Sequence, residues 1–210
     1  MKKKLIIWGA TGQSIVLEEF LSTDYEIVAL FDKNENVISP FPNIKIYHHE
    51  EEFKDYCKSI KQLHFIVAIG GNNGLERLSI SNKLVEWGLI PISAIHPKSS
   101  IATNATIGIG SQILIGACIS AKATIGDYCI INTGASIDHE CILKNGVHVA
   151  PNATLAGCIQ VDEYAFIGTN ASILPKIKIG KNAVIGAGAV VTKNVDDNTT
   201  VVGVPANKIK

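Results

Sequence analysis

Every sixth residue from Ile95 to Val191 is isoleucine, leucine or valine, seventeen consecutive positions without a miss. A fixed period of this length marks a repeat architecture, in which like units stack and bury one continuous core. The position two before each of these is restricted as well. From Ser99 to Ala189, fourteen of the sixteen such residues are small or valine. Each unit therefore carries a small residue inward, one residue outward, an aliphatic residue inward, and then three residues of bend. Ala123-Thr124-Ile125 followed by Gly126-Asp127-Tyr128 shows the pattern. In–out–in is the alternation of a β-strand. Stacked bends of this kind predict a β-solenoid with an aliphatic core, which suits a chain that is 47% hydrophobic and only 6% aromatic.

The first half follows a different rule. Leu5–Trp8 reads as a buried strand, Gly9-Ala10-Thr11-Gly12-Gln13-Ser14 as a turn, and Ile15–Phe20 as the opening of a helix. Glu26–Phe31 gives a second strand ending at Asp32, and His64–Ile69 a third, followed by the turn Gly70-Gly71-Asn72-Asn73-Gly74. The next helix carries apolar residues at Leu75, Leu78, Leu84 and Val85. Strands alternating with helices imply a small parallel sheet. The domains are expected at residues 1–92, a βαβ α/β unit with a Rossmann-like sheet, and 93–210, the solenoid.

Charge and composition exclude several classes. Nineteen basic and nineteen acidic residues balance, which argues against nucleic acid or anionic membranes as partners. No apolar run approaches the roughly 20 residues of a membrane span. Met1-Lys2-Lys3-Lys4 leads straight into Leu5 with no h-region, so no signal peptide is expected. Five cysteines without a CxxC pair fit a reducing compartment and a cytoplasmic location. The Gly9–Ser14 turn opens a helix whose N–H groups can hold phosphate, yet GxGxxG is absent, so a dinucleotide is not expected.

The solenoid resembles the hexapeptide-repeat acyltransferases, and that resemblance implies a left-handed parallel β-helix with three hexapeptides per coil. The two halves together resemble a narrower family, the bacterial nucleotide-sugar N-acetyltransferases of the bacillosamine and perosamine type, with sialic acid O-acetyltransferases as cousins. The residues that carry it are Gly9-Ala10-Thr11-Gly12, Ala68-Ile69-Gly70 with Asn72, Asn73 and Arg77, Asn132-Thr133, His139-Glu140-Cys141, His148-Val149, Ala156-Gly157 and Val202-Gly203-Val204-Pro205-Ala206. The resemblance implies a homotrimer that moves an acetyl group from acetyl-CoA to the amino group of a nucleotide-linked sugar, of the 4-amino-4,6-dideoxy kind, in O-antigen or other glycan biosynthesis. It implies no metal. O-acetylation of sialic acid or a related sugar is the alternative.

His139 falls in a bend, flanked by Asp138 and Glu140. An attacking amine must lose a proton as the new bond forms, and imidazole suits that task at neutral pH. In the resembled family the matching histidine is the base and the following glutamate raises its basicity. Eighteen residues per coil place Gly157 directly beyond His139, about 4.8 Å away. A position without a side chain leaves room for the thioester and a backbone N–H for the oxyanion.

His148 is expected on an outward strand position, exposed, where the resemblance implies contact with acetyl-CoA. Thr169 and Ala187 are eighteen apart and share one corner column, matching cofactor positions of the family. The resemblance places the nucleotide sugar at Gly9, Thr11, Gly12, Gln13, Asp32, Lys33 and Gly70.

Cys129 and Cys141 take inward positions, Cys118 an outward one, and Cys158 a bend. A zinc hydratase would need three convergent histidines, but His96 lies more than two coils from His139. A non-catalytic sugar-binding scaffold is the remaining competitor, and thioester turnover with an amino sugar would exclude it.

Overall fold

A computed structural model describes residues 2–210, and the chain divides into two compact units. One runs up to Ile69 and resumes at Ser79–Ala94; the other joins Gly70–Leu78 to Ile95–Lys210.

The first unit is a five-stranded sheet of β1 (Lys3–Trp8), β2 (Tyr25–Phe31), β3 (Ile46–Tyr47), β4 (His64–Val67) and β5 (Ile90–Pro91). All its pairings are parallel, in the order β3-β2-β1-β4-β5. Its helices are α1 (Gly12–Leu21), α2 (Glu50–Lys58) and the later part of α3 (Gly74–Glu86). Leu5, Ile6 and Ile7 are fully buried, as a strand covered on both faces requires. Trp8 packs on Phe31 with ring centroids 4.0 Å apart, and Phe53 of α2 closes the cluster. Helix α3 stands where its pattern predicts, but its buried stripe differs from the expected one. Leu84 is buried, but Leu75 and Val85 are exposed; Arg77, Ile80 and Ser81 fill the buried positions instead.

The second unit is a left-handed parallel β-helix whose three sheets have six, five and eight strands. Cα partners lie eighteen residues apart, as in Cys118 with Ser136 and Ser136 with Thr154. Inward residues from Ile113 to Val191 form one cluster in which alanines and cysteines alternate with aliphatics. Each fully buried isoleucine there contributes roughly 1.5–3 kcal/mol over an exposed one. The first rungs depart from expectation. Ile95 is 46% exposed, and Ile101 and Ile107 are only partly covered, because no earlier coil stacks on that end.

From the third coil edge onward, as far as Gly188, the corners turn through one left-handed residue each. From Gly110 to Gly188, each sixth residue has positive φ, including Lys122, Tyr128, Glu140, Cys158 and Tyr164. The eighteen-residue step ends after Val191. Val184 pairs with Thr200 and Ile179 bridges Val195, sixteen residues apart in both cases. An antiparallel pair, Val201–Val202 against Asn207–Lys208, finishes the chain. Among the described residues no helix is long and apolar enough to cross a membrane.

Candidate active site

His139 lies in the corner that follows the strand Ser136–Ile137, where the helix makes its turn exposed. Three contacts fix it. Its N–H donates to the Asp138 carboxylate at 2.7 Å, and its carbonyl accepts from the Cys158 N–H at 2.9 Å. Its Nδ1 lies 3.2 Å from the Glu140 carboxylate. Glu140 can reach back to the ring because it occupies the left-handed corner position, with φ 58°. A carboxylate on Nδ1 holds the proton there and leaves Nε2 as the lone-pair nitrogen. Asp138, on the other flank, accepts from the His139 backbone N–H instead.

Gly157 stacks one coil beyond His139, as the repeat length requires. A Cβ at 157 would come within 2.6 Å of both Cε1 and Nε2 of His139. The space expected to stay open for a thioester is therefore filled by the imidazole, and the glycine seats the ring. The amides on either side, Ala156 and Cys158, donate to the coil ladder. The Gly157 N–H has no acceptor among the described residues. On the other side of His139 opens a cleft of about 440 Å³ lined by Ser100, Cys118, Ser120, Ala121 and their neighbours.

His148 corrects an expectation. It does project outward from its strand, but it is 5% exposed. The Gly70–Leu78 segment covers it, a stretch some seventy residues earlier in sequence. Nδ1–H donates to the Gly71 carbonyl at 3.1 Å, and Nε2 accepts from the Asn132 amide at 3.2 Å. The Phe166 ring packs edge-on at 5.3 Å. Burial, with help from the nearby Arg77 guanidinium, lowers its pKa to about 4. Both nitrogens are used and the ring is neutral. Arg77 pins the same segment, donating to the carbonyls of Tyr128 at 2.8 Å and Gly146 at 2.7 Å. Burial pushes its own pKa down to about 10. Arg77 and Asn132, both among the residues that carry the family resemblance, thus hold this segment and His148 in place.

Thr169 and Ala187 are stacked as expected, with the Gly188 N–H donating to the Thr169 carbonyl, and both are exposed. They occupy a different corner from His139. The six-stranded face lies between the two corners, and its outward residues include Ser100, Cys118, Ser136, Thr154 and Ser172.

In the first unit, Gly9 has φ 101°, and a Cβ there would meet the Ala68 carbonyl oxygen at 2.7 Å. Only glycine allows the chain to leave β1 so close to the end of β4. The Asp32 carboxylate accepts from the N–H groups of Ala10 at 3.1 Å and Asn34 at 3.0 Å, tying the end of β2 to this turn. Thr11 is the N-cap of α1, with Gly12 and Gln13 in its first turn. Lys33 is exposed. The strand order reverses between β1 and β4, the usual ligand crevice of an open α/β sheet. Gly70 was expected with this group, but it belongs to the β-helical unit, where it lies against His148.

Of the cysteines, Cys129 and Cys141 are buried, and burial lifts the Cys129 thiol to about 12. Cys118 is exposed. Cys158 is half-buried and takes φ 63° one coil beyond Glu140. Its nearness to His139 and Glu140 was missed, although the arithmetic that paired His139 with Gly157 also pairs Glu140 with Cys158.

Residues 4–84 match the PglD N-terminal domain family, and residues 158–193 match the bacterial transferase hexapeptide (six repeats) family. The structure is similar to that of a histidine-to-asparagine mutant of perosamine N-acetyltransferase from Caulobacter crescentus, solved with CoA and GDP-perosamine. The TM-score is 0.90 at 28% identity, over 99% of this chain and 97% of that one. It is also similar to the acetyltransferase domain of PglB from Neisseria gonorrhoeae in complex with acetyl coenzyme A. There the TM-score is 0.87 at 29% identity, over 100% of both chains. The chain spans only 28% and 30% of the length of two of the curated relatives it matches. GDP-perosamine N-acetyltransferase from Escherichia coli O157:H7 is 34% identical over 153 residues, covering 70% of this chain and 68% of that protein. The chain therefore belongs to the acetyl-CoA-dependent, hexapeptide-repeat sugar N-acetyltransferases, the family of GDP-perosamine N-acetyltransferase.

Proposed function

We propose that this protein transfers the acetyl group of acetyl-CoA to the amino group of a nucleotide-linked 4-amino-4,6-dideoxy sugar, with His139 as general base. The observation that carries the reading is the His139–Glu140 pair, 3.2 Å apart at an exposed corner, an arrangement that favours the tautomer with its lone pair on Nε2. The amine nitrogen attacks the thioester carbonyl carbon, and its proton passes to Nε2. The carbonyl oxygen becomes an oxyanion, and the uncommitted Gly157 N–H is a suitable donor for it. The tetrahedral intermediate collapses with loss of the CoA thiolate, which takes a proton from the imidazolium or from solvent. Glu140 stabilises the imidazolium in between.

The cofactor runs along the corner of Thr169 and Ala187, where exposed backbone and small side chains leave room for a long, thin ligand. The nucleotide is held at Gly9, Thr11, Gly12, Gln13, Asp32 and Lys33, where a helix N-terminus opens beside strand ends. A homotrimer supplies the second wall that the exposed His139 corner lacks, with the short polar side chains of the six-stranded face allowing a neighbour close approach. The protein acts in the cytoplasm, where both co-substrates are made.

UDP-, dTDP- and GDP-linked 4-amino sugars are the test, scored for CoA release in the presence of EDTA. Turnover of at least one of them, giving an amide product, is expected. A panel without turnover, combined with ester formation on a hydroxyl sugar, would replace this reading by O-acetylation.

A further inference from the structure

The corner of His139 gathers three kinds of metal donor. A ring nitrogen of His139, a carboxylate oxygen of Glu140 and the sulfur of Cys158 all lie within 4.8 Å of one another. The cause is in the backbone. Glu140 and Cys158 take successive left-handed corner positions, φ 58° and 63°, one coil apart. The Cys158 N–H is tied to the His139 carbonyl at 2.9 Å, which holds the two coils in register at this point. The neighbouring members of the same column are Lys122 and Lys176, so the carboxylate–thiol stack occurs at this one level. His139 and Glu140 are exposed and Cys158 is half-buried, so an ion can reach all three from solvent.

We propose that His139, Glu140 and Cys158 form a binding site for a borderline-soft divalent cation of the zinc class, and that its occupancy silences the enzyme. Zinc takes nitrogen, thiolate sulfur and carboxylate oxygen in a tetrahedron, with bonds of about 2.0–2.3 Å. The donors of such a tetrahedron stand roughly 3.3–3.8 Å apart, so small side-chain rotations from the present spacing close the site. Magnesium and calcium favour all-oxygen shells and are excluded by this donor set. Three protein ligands leave a fourth position for water, which makes the site open and reversible.

The inhibitory consequence rests on the assignment of His139 as the base. If the ion takes Nε2, it consumes the lone pair that accepts the amine's proton. If it takes Nδ1, the remaining ring proton must sit on Nε2, with the same result. Either geometry also draws Glu140 away from its orienting role. The cation is thus an inhibitor rather than a cofactor, and removing it with EDTA should leave turnover intact.

Two measurements on the full-length protein test this. Cobalt(II) is titrated as the probe and thiolate-to-cobalt absorption is followed, which needs no catalysis. Zinc inhibition of CoA release is measured in parallel. The absorption should appear in the wild-type, survive in Cys118→Ser, and disappear in Cys158→Ser. The zinc concentration for half-inhibition should rise by about tenfold or more in Cys158→Ser, while magnesium has no effect. Melting curves establish that Cys158→Ser is folded, and Cys158→Ala is the second variant if the serine disturbs the corner. No thiolate–cobalt absorption, or absorption unchanged in both Cys158 variants, overturns the site. Cobalt binding through Cys158 with undiminished turnover would confirm the site and overturn His139 as the base, so the two failures are distinguishable.

Discussion

Two histidines nine residues apart in the β-helix show how one side chain is turned to opposite uses. His139 stands at a corner, where the chain leaves the strand and nothing from its own unit covers it. One nitrogen meets a carboxylate and the other is left open. His148 stands on a flat face under the Gly70–Leu78 segment, with a carbonyl on one nitrogen and an amide on the other. Burial lowers the pKa of His148 to about 4, which makes it a neutral hydrogen-bonding peg. The contrast teaches that position in the repeat sets the local frame. Whether another segment lies on top decides what the residue can do.

The largest effect should come from breaking the exposed member. His139→Ala should lower kcat by about 10²–10⁴-fold, the range for loss of a general base. KM should move little, since the lost interaction belongs to the transition state. Steady-state kinetics at saturating acetyl-CoA and amino sugar checks this. A near wild-type kcat would remove His139 from the chemistry, leaving Cys118 or a substrate-assisted path.

The buried member should show itself in stability instead. Unfolded, His148 titrates near 6.5; folded, near 4. Between those values the unfolded chain binds a proton that the folded one refuses, so stability falls as pH drops from about 6.5 towards about 4. Above that window neither state holds the proton, and no cost arises. The full loss is about 3 kcal/mol. Melting temperature against pH measures it. His148→Gln, which cannot be protonated, should flatten this limb; an unchanged acid slope would mean that other groups govern it.

The two histidines were also unequally legible in the sequence. The six-residue period located the core, the corners and the stacking of Gly157 on His139, because all of these follow from repetition within one segment. The cover over His148 comes from residues 70–78, and no local pattern around His148 announces it. The left-handed corner positions were obscured because Tyr128, Glu140 and Cys158 occupy sites where glycine or asparagine would have signalled the backbone. Helix α2 was missed although Phe53 and Cys57 stand four apart behind three glutamates. Its short, highly charged stretch masked the periodicity. The register change after Val191 is carried by tertiary pairing alone.

Gly157→Ala tests whether seating matters as much as identity. Its φ lies outside the left-handed region, so alanine brings no backbone strain. The new Cβ would stand within 2.6 Å of the His139 ring, which must then move. A misplacement of about 1 Å can cost about 10²-fold, so a fall in kcat of about 10- to 10²-fold is expected with little change in melting temperature. Full activity would show that the ring can swing into the cleft and still work.

The smallest effect should come from Glu140→Gln. The Glu140 carboxylate sits 3.2 Å from Nδ1, yet both side chains are 53% exposed. Exposed ion pairs are worth about 0.2–1 kcal/mol, which corresponds to no more than about a fivefold change in rate. Glutamine keeps an acceptor oxygen for Nδ1–H, but it cannot offset the imidazolium charge. Its amide can also rotate and donate to Nδ1, which would move the ring proton to Nε2. A fall in kcat of about two- to fivefold is therefore expected, larger at low ionic strength than at high, because salt screens an exposed pair. The same change made in His139→Ala should have no further effect, since Glu140 acts only through the imidazole. A loss as large as that of His139→Ala would mean that the pair is desolvated when the enzyme works. That result would move the His139 corner towards the condition of His148, covered by a neighbouring copy or by substrate.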